Sequence, residues 1–351
     1  MMNVTEILER AVKERASDIF VVAGSALRFK IEGGMESRSD GILKPDDTTD
    51  FVQKIYELAK RDMKSMESGD DDFSFSLPGA ARFRVNVYRQ RGSVAAILRV
   101  VLFTLPDYKE LGIPETVMEL SNRTGGLILV TGPAGSGKST TLACMLDRIN
   151  ESRSGHIMTL EDPIEYLHRH KQSIVSQREV SIDTESYVRG LKAALRQAPD
   201  VILIGEMRDA ETINIAMTAA ETGHLVLSTL HTLGCANSVD RIIDAFPPQQ
   251  QQQVRVQLSM VLQAVVSQQL VPSKKGGRAA AFEVLKVTPA VRNLIRESKM
   301  HQLDTVMLSG KSMGMQTMDA ALLELYRKGE IEKEDVLSRC MNYDAVSRQI
   351  R

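Results

Sequence analysis

The chain has 351 residues, 43% of them hydrophobic, 25% charged and 5% aromatic, and its 44 basic side chains stand against 45 acidic ones for a formal net charge of -1. At roughly 100 to 200 residues per domain the length asks for two or three domains, and the composition excludes disordered, collagen-like and disulfide-scaffold classes. Balanced charge and few aromatics argue against a broad nucleic-acid surface or a base-stacking platform.

In chain order, the start lacks a basic region followed by an apolar one, and no stretch approaches the ~18 uncharged apolar residues of a spanning helix, so no export or membrane insertion is expected. Val4, Ile7, Leu8, Ala11 and Val12 repeat at helical spacing. Residues 18–23 and 27–31 read as strands, 45–63 as a helix, and 74–77, 82–88 and 94–102 as further antiparallel strands. Residues 1–105 are therefore expected to form a small α+β domain. Pro106, Gly112 and Pro114, with only short apolar runs around them, mark 106–124 as the connection. From 125 to 351 the apolar runs 127–130, 156–160, 201–204 and 225–227 alternate with helical segments, which predicts an α/β fold with a buried, mostly parallel sheet. The end of that domain, from about 285, reads as helical, with Met318, Leu322, Leu325 and Tyr326 on one face. Gln249 to Gln253 predict a polar helical surface. Cys144, Cys235 and Cys340 are widely separated and odd in number, so neither a disulfide framework nor a Cys-x-x-Cys metal site can be built from them, which fits a reducing cytoplasm.

The strand 126–131 leads into Gly132, Pro133, Ala134, Gly135, Ser136, Gly137, Lys138, Ser139 and Thr140, followed by the periodic Leu142, Met145 and Leu146. This is a Walker A loop between a strand and a helix. Its glycines let backbone N–H groups surround phosphate oxygens, Lys138 reaches the terminal phosphates and Ser139 binds Mg²⁺, so ATP and Mg²⁺ are the expected ligands.

Such a site also needs carboxylates at neighbouring strand ends. Glu206 ends the apolar strand that follows Asp200, the Walker B pattern, and would hold Mg²⁺ through water. Glu161, Asp162 and Glu165 form a second acidic group just after the strand 156–160; the alternative is a loop in which Asp162 caps a helix. His224 and His231 flank the strand 225–227 and suit phosphate sensing, with a satisfied core histidine as the alternative for either. No cysteine or carboxylate accompanies them at zinc-ligand spacing.

Together, G-P-A-G-S-G-K-S-T, T-L-E-D-P-I-E-Y, V-I-L-I-G-E-M-R-D, T-G-H-L-V-L-S-T-L-H-T and A-V-R-N-L-I-R (Ala290, Val291, Arg292, Asn293, Leu294, Ile295, Arg296) resemble the type IV pilus retraction ATPases of the hexameric secretion ATPase superfamily. The resemblance covers essentially the whole chain. It implies a PAS-like N-terminal domain, a RecA-like ATPase domain, a homohexamer, and a motor that powers pilus retraction and twitching motility. The implied partners are the inner-membrane platform protein, the pilus machinery and a paralogous retraction ATPase; the implied place is the cytoplasmic face of the inner membrane. By motif, Glu165 becomes the catalytic glutamate, Glu206 the Walker B residue and His231 the γ-phosphate reader with His224 nearby. Arg84 and Arg99, and more weakly Arg189, become the arginines supplied to the nucleotide, and Ala290 to Arg296 the retraction motif. Val291 departs from the usual Ile, and the glutamine run from a mixed-charge segment. Two rivals remain: a RecA-like nucleic-acid motor, and an accessory paralogue that binds ATP without hydrolysing it.

Overall fold

In the computed structural model, which describes residues 3–31, 34–101 and 105–350, the chain divides into two units: residues 1–104 with Glu165–Leu167, and residues 105–164 with 168–351. In the first unit, α1 (Val4–Lys13) opens where the Asn3 side chain accepts the Glu6 N–H, a helix N-cap. There follow β1 (Asp18–Val21), β2 (Arg28–Ile31), β3 (Gly34–Ser37), α2 (Pro45–Ala59), β4 (Asp70–Leu77), β5 (Ala81–Gln90) and β6 (Ser93–Val101). They make one antiparallel sheet in the order β3-β2-β1-β6-β5-β4.

Alternation decides which face is buried. Ala81, Phe83, Val85 and Val87 of β5 enter a core with Ile19, Val21, Phe29 and Leu98, covered by Leu8 of α1 and by Phe51, Val52 and Ile55 of α2. The opposite face carries Arg84 directly across from Arg99, and Arg99 across from Asp18. The four exposed residues of β3 show no alternation, which is why the sequence does not announce that strand. The expected strand end at Leu102 lies outside the described residues.

The second unit runs through α3 (Glu115–Met118), β7 (Gly126–Thr131), α4 (Lys138–Ser152), β8 (His156–Glu161), β9 (Ile174–Glu179), α5 (Tyr187–Ala194), β10 (Val201–Ile204), α6 (Ala210–Glu221) and β11 (Leu225–Leu230). It continues with α7 (Cys235–Asp244), α8 (Pro248–Val261), β12 (Leu262–Pro272), β13 (Arg278–Lys286), α9 (Pro289–Arg296), α10 (Leu303–Ser309), α11 (Met318–Arg327), α12 (Lys333–Arg339) and α13 (Tyr343–Ser347). The sheet order is β13-β12-β7-β11-β10-β8-β9, parallel throughout except for the antiparallel edge β13. Helices cover both faces. Leu127, Leu129, Ile202 and Val226 meet α6 to α9 on one side, and Ile128, Val130, Leu203 and Leu227 meet α4 on the other. Met318, Leu322, Val336 and Val346 of α11 to α13 form a further cluster against Val271 of β12 and Ala281 of β13.

Residues 106–124, read as a connection, pack into this second unit. Ile113, Val117, Met118 and Leu120 are buried beside α4, so the short apolar runs there are an amphipathic turn. Strands β12 and β13 carry no expectation from the sequence: the polar pair Gln268 and Gln269 interrupts the apolar run, although both are buried. The glutamine run does lie on α8, and no described helix is long and apolar enough to cross a membrane.

Gly126 starts β7 with φ +100°, and a Cβ there would stand 2.7 Å from the Val261 carbonyl oxygen. Both the left-handed backbone and the close approach exclude a side chain. Gly126→Ala is expected to lower stability by about 2 kcal/mol or more, read as a lower urea midpoint in the second unit's unfolding transition.

Candidate nucleotide site

Four loops leave the sheet at one edge because the strands before them are parallel neighbours. In the run β7-β11-β10-β8, Thr131 lies across from Leu230, Ser228 across from Ile204, and Ile204 across from Leu160. The chain therefore delivers the Walker A loop, His231, Glu206 and the acidic loop to the carboxyl edge, where open α/β sheets bind ligands.

Within the Walker A loop, Gly135 at φ +73° and Gly137 at φ +88° turn the backbone into a cradle, and α4 begins at Lys138. Gly132 admits no side chain, because a Cβ would stand 2.2 Å from the Gln268 carbonyl oxygen. Lys138 is buried and donates to the carbonyls of Gly132 and Pro133, each at 2.9 Å. Ser136 Oγ is buried with no hydrogen-bond partner among the described residues. A glycine cradle, a helix N-terminus, a lysine and an orphaned hydroxyl suit a polyphosphate, and the half-buried Ser139 hydroxyl with the Glu206 carboxylate suits a hydrated Mg²⁺. Past the end of β7, β12 continues as the loop's wall, and Thr141 of α4 donates to Gln268 Oε1 at 2.8 Å. Gln268 had no signal in the sequence beyond its place in a polar pair.

Glu206 is largely buried and held on both oxygens: Arg208 approaches Oε1 at 2.6 Å and His231 Nε2 lies 3.1 Å from Oε2. The hydrogen bond to Glu206 raises the Arg208 guanidinium above its usual pKa. Sequence reasoning assigned nothing to Arg208, although it stands two residues after Glu206 in the same motif. Tyr187 was also missed. A Cβ on Gly205 would lie 2.8 Å from its hydroxyl, and burial, then the nearby Asp162, Glu206 and Glu161 charges, push its ionisation up.

No helix follows Asp162, so the capping alternative fails; the loop turns through a cis Asp162–Pro163 bond instead. Glu161 accepts from Thr159 Oγ1 at 2.6 Å and Gln177 Nε2 at 3.2 Å, while Glu179 accepts the Ile164 N–H at 3.3 Å and so tethers the loop. Glu165 is exposed and belongs to the first unit.

His224 is not near His231. It precedes β11 and His231 follows it, so the whole strand separates them, at roughly 3.3 Å per residue. His224 lies at the amino edge with Nδ1 2.9 Å from the Ala219 carbonyl, lining a 320 Å³ cavity with Arg153, His156 and Asp200. Arg189 pairs with Glu185 one turn earlier. Arg84 and Arg99 are exposed on the first unit's sheet, and Arg99 donates to Asp18 at 3.1 Å. The segment 290–296 lies wholly on α9: Val291, Leu294 and Ile295 are buried, Ala290, Asn293 and Arg296 are exposed, and Arg292 donates to carbonyls in the last turn of α8, those of Ser259 and Met260.

The chain is 45% identical over 336 residues to the type IV pilus retractation ATPase PilT of Pseudomonas aeruginosa, covering 95% of this chain and 97% of that one. It is 42% identical to the twitching motility protein of Neisseria gonorrhoeae, covering 98% and 92%. Among solved structures, the crystal structure of the pilus retraction motor PilT with bound ADP superimposes with a TM-score of 0.90 at 47% identity, over 99% of this chain and all of that one. The family model described as Type II/IV secretion system protein matches residues 1–336, and with the Walker A loop, Glu206 and His231 at one sheet edge the chain belongs to that family.

Proposed function

We propose that the chain is a Mg²⁺-dependent ATPase that works as a ring of six copies and drives type IV pilus retraction through the membrane platform protein at the pilus base. The observation that carries this reading is the meeting of Lys138, Glu206 and His231 at one sheet edge, in a chain similar over nearly its whole length to a pilus retractation ATPase. In this reading the first unit is the PAS-like domain and the second the RecA-like ATPase domain, and the protein works at the cytoplasmic face of the inner membrane.

Phosphoryl transfer needs placement and charge stabilisation more than covalent help. The N–H groups of residues 135–140 hold the phosphates, and Lys138 turns from the Gly132 and Pro133 carbonyls toward the terminal ones. Ser139 and, through water, Glu206 would hold Mg²⁺, which when bound would neutralise charge on the phosphate oxygens. Glu165 orients or deprotonates the attacking water. His231, already hydrogen-bonded to Glu206, reads the γ-phosphate, and Arg84 and Arg99 of the first unit supply guanidinium groups. Arg189, tied to Glu185, is left as a surface ion pair. Binding and release of nucleotide then become rigid-body motions of the ring, and the exposed Asn293 and Arg296 of α9 serve retraction rather than turnover.

Purified protein is expected to hydrolyse ATP as a six-subunit particle, and to stop when EDTA removes Mg²⁺. Lys138→Ala should lose ATP binding, while Glu165→Gln and Glu206→Gln should bind ATP yet turn over at least ~100-fold more slowly. A wild type that binds ATP without hydrolysing it moves the reading to an accessory paralogue.

Arg296→Ala is expected to keep ATP turnover within about twofold and abolish twitching on agar, since it removes an exposed charge without touching the sheet edge. Equal loss of both activities would end the separation of motif from chemistry.

A further inference from the structure

Glu283 sits on β13 with 5% of its surface exposed and no ion-pair partner among the described residues. Burial pushes its carboxyl above the usual range. A buried, unpaired carboxylate is expensive and needs a reason. The reason is two backbone donors: Oε1 accepts the N–H of Cys235, first residue of α7, and Oε2 accepts the N–H of Met318, first residue of α11, at 3.1 Å. Both helices direct the positive ends of their dipoles at it. Two N–H groups need a group that only accepts, and glutamine in its place would turn an NH₂ toward one of them.

Only His231, Thr232, Leu233 and Gly234 separate the end of β11 from α7, so whatever fixes Cys235 fixes the loop carrying His231. Gly234 N–H donates to Ser267 Oγ at 2.9 Å. The Ser238 hydroxyl lies 2.8 Å from Thr232 Oγ1 and 3.1 Å from Thr131 Oγ1, the residue just before the Walker A loop. On its other side Glu283 holds the start of α11, the first helix of the C-terminal cluster.

We propose that Glu283 is a positioning residue of the nucleotide site: by holding α7 and α11 on the two oxygens of one carboxylate, it sets the place of His231 and ties the His231 loop to the C-terminal helices. This rests on His231 being the reader of the γ-phosphate.

The test is ATP turnover by wild type, Glu283→Gln, His231→Ala and the double variant, with oligomer mass and far-UV circular dichroism checking the fold. Glu283→Gln is expected to lower kcat about tenfold with KM for ATP within twofold, and to cost less than twofold in the His231→Ala background. A structural role alone lowers turnover by the same factor in both backgrounds, and that result overturns the proposal, as does undiminished turnover in Glu283→Gln. Should His231→Ala alone cost less than twofold, the reading of His231 is what fails, and the proposal falls with it. If Glu283→Gln does not fold, Glu283→Asp, which keeps the charge but withdraws it by one methylene, takes its place in the same cycle with the same expectation.

Discussion

Parallel pairing of β7, β11, β10 and β8 is the constraint on which this molecule's chemistry depends. Parallel strands point the same way, so each helical return must cross a face of the sheet, and every loop that follows a strand emerges at one edge. Residues as distant in sequence as Lys138 and His231 are thereby placed on neighbouring loops without any long-range pairing of their own. The edge also supplies the helix start at Lys138, where the positive end of the helix dipole favours an anion.

The remaining architecture supports that edge. β12 outruns β7 and stands against the Walker A loop so closely that only glycine fits at 132. Gln268, buried there, spends its side chain on Thr141 of α4, so strand and helix are joined across the loop they enclose. Glu206 is held between Arg208 and His231, which orients its carboxylate; preorganisation of this kind is what makes fixed charges effective in phosphoryl transfer. Glu179 of β9 tethers the acidic loop through the Ile164 N–H, and the Tyr187 hydroxyl of α5 lies close against Gly205.

The segment 290–296 shows how one short motif serves two purposes. Its apolar members enter the core beside α8, and Arg292 neutralises the carbonyl end of α8, where a cation complements both the orphan acceptors and the helix dipole. Only Ala290, Asn293 and Arg296 face outward. The motif is therefore an amphipathic helix in its packing, and any contact it makes with another protein must pass through those exposed positions and their neighbours. The glutamine-rich helix beside it is held in place by this cap.

Periodicity and local chemistry were enough to read much of the chain. The strand readings at 82–88 and 94–102 gave the antiparallel sheet, the apolar runs gave the buried strands, and the run from Gly132 to Thr140 announced a phosphate cradle, because strand, glycine turn and helix start are contiguous and need no distant partner. What a residue meets across the fold was not readable. His224 and His231 look paired in sequence but occupy opposite ends of a strand, since seven residues of extended chain run roughly 20 Å. Gln268, Tyr187 and Glu283 carry no motif of their own, Arg208 sits in the Glu206 motif with nothing to mark its role, and residues 106–124 looked like a connection until their apolar side chains met α4. Sequence determined the apolar strands 127–130, 156–160, 201–204 and 225–227 and the phosphate loop because those depend on neighbours along the chain; tertiary structure alone decided which carboxylates, histidines and arginines share an edge, because that depends on strand order and direction, which no local pattern encodes.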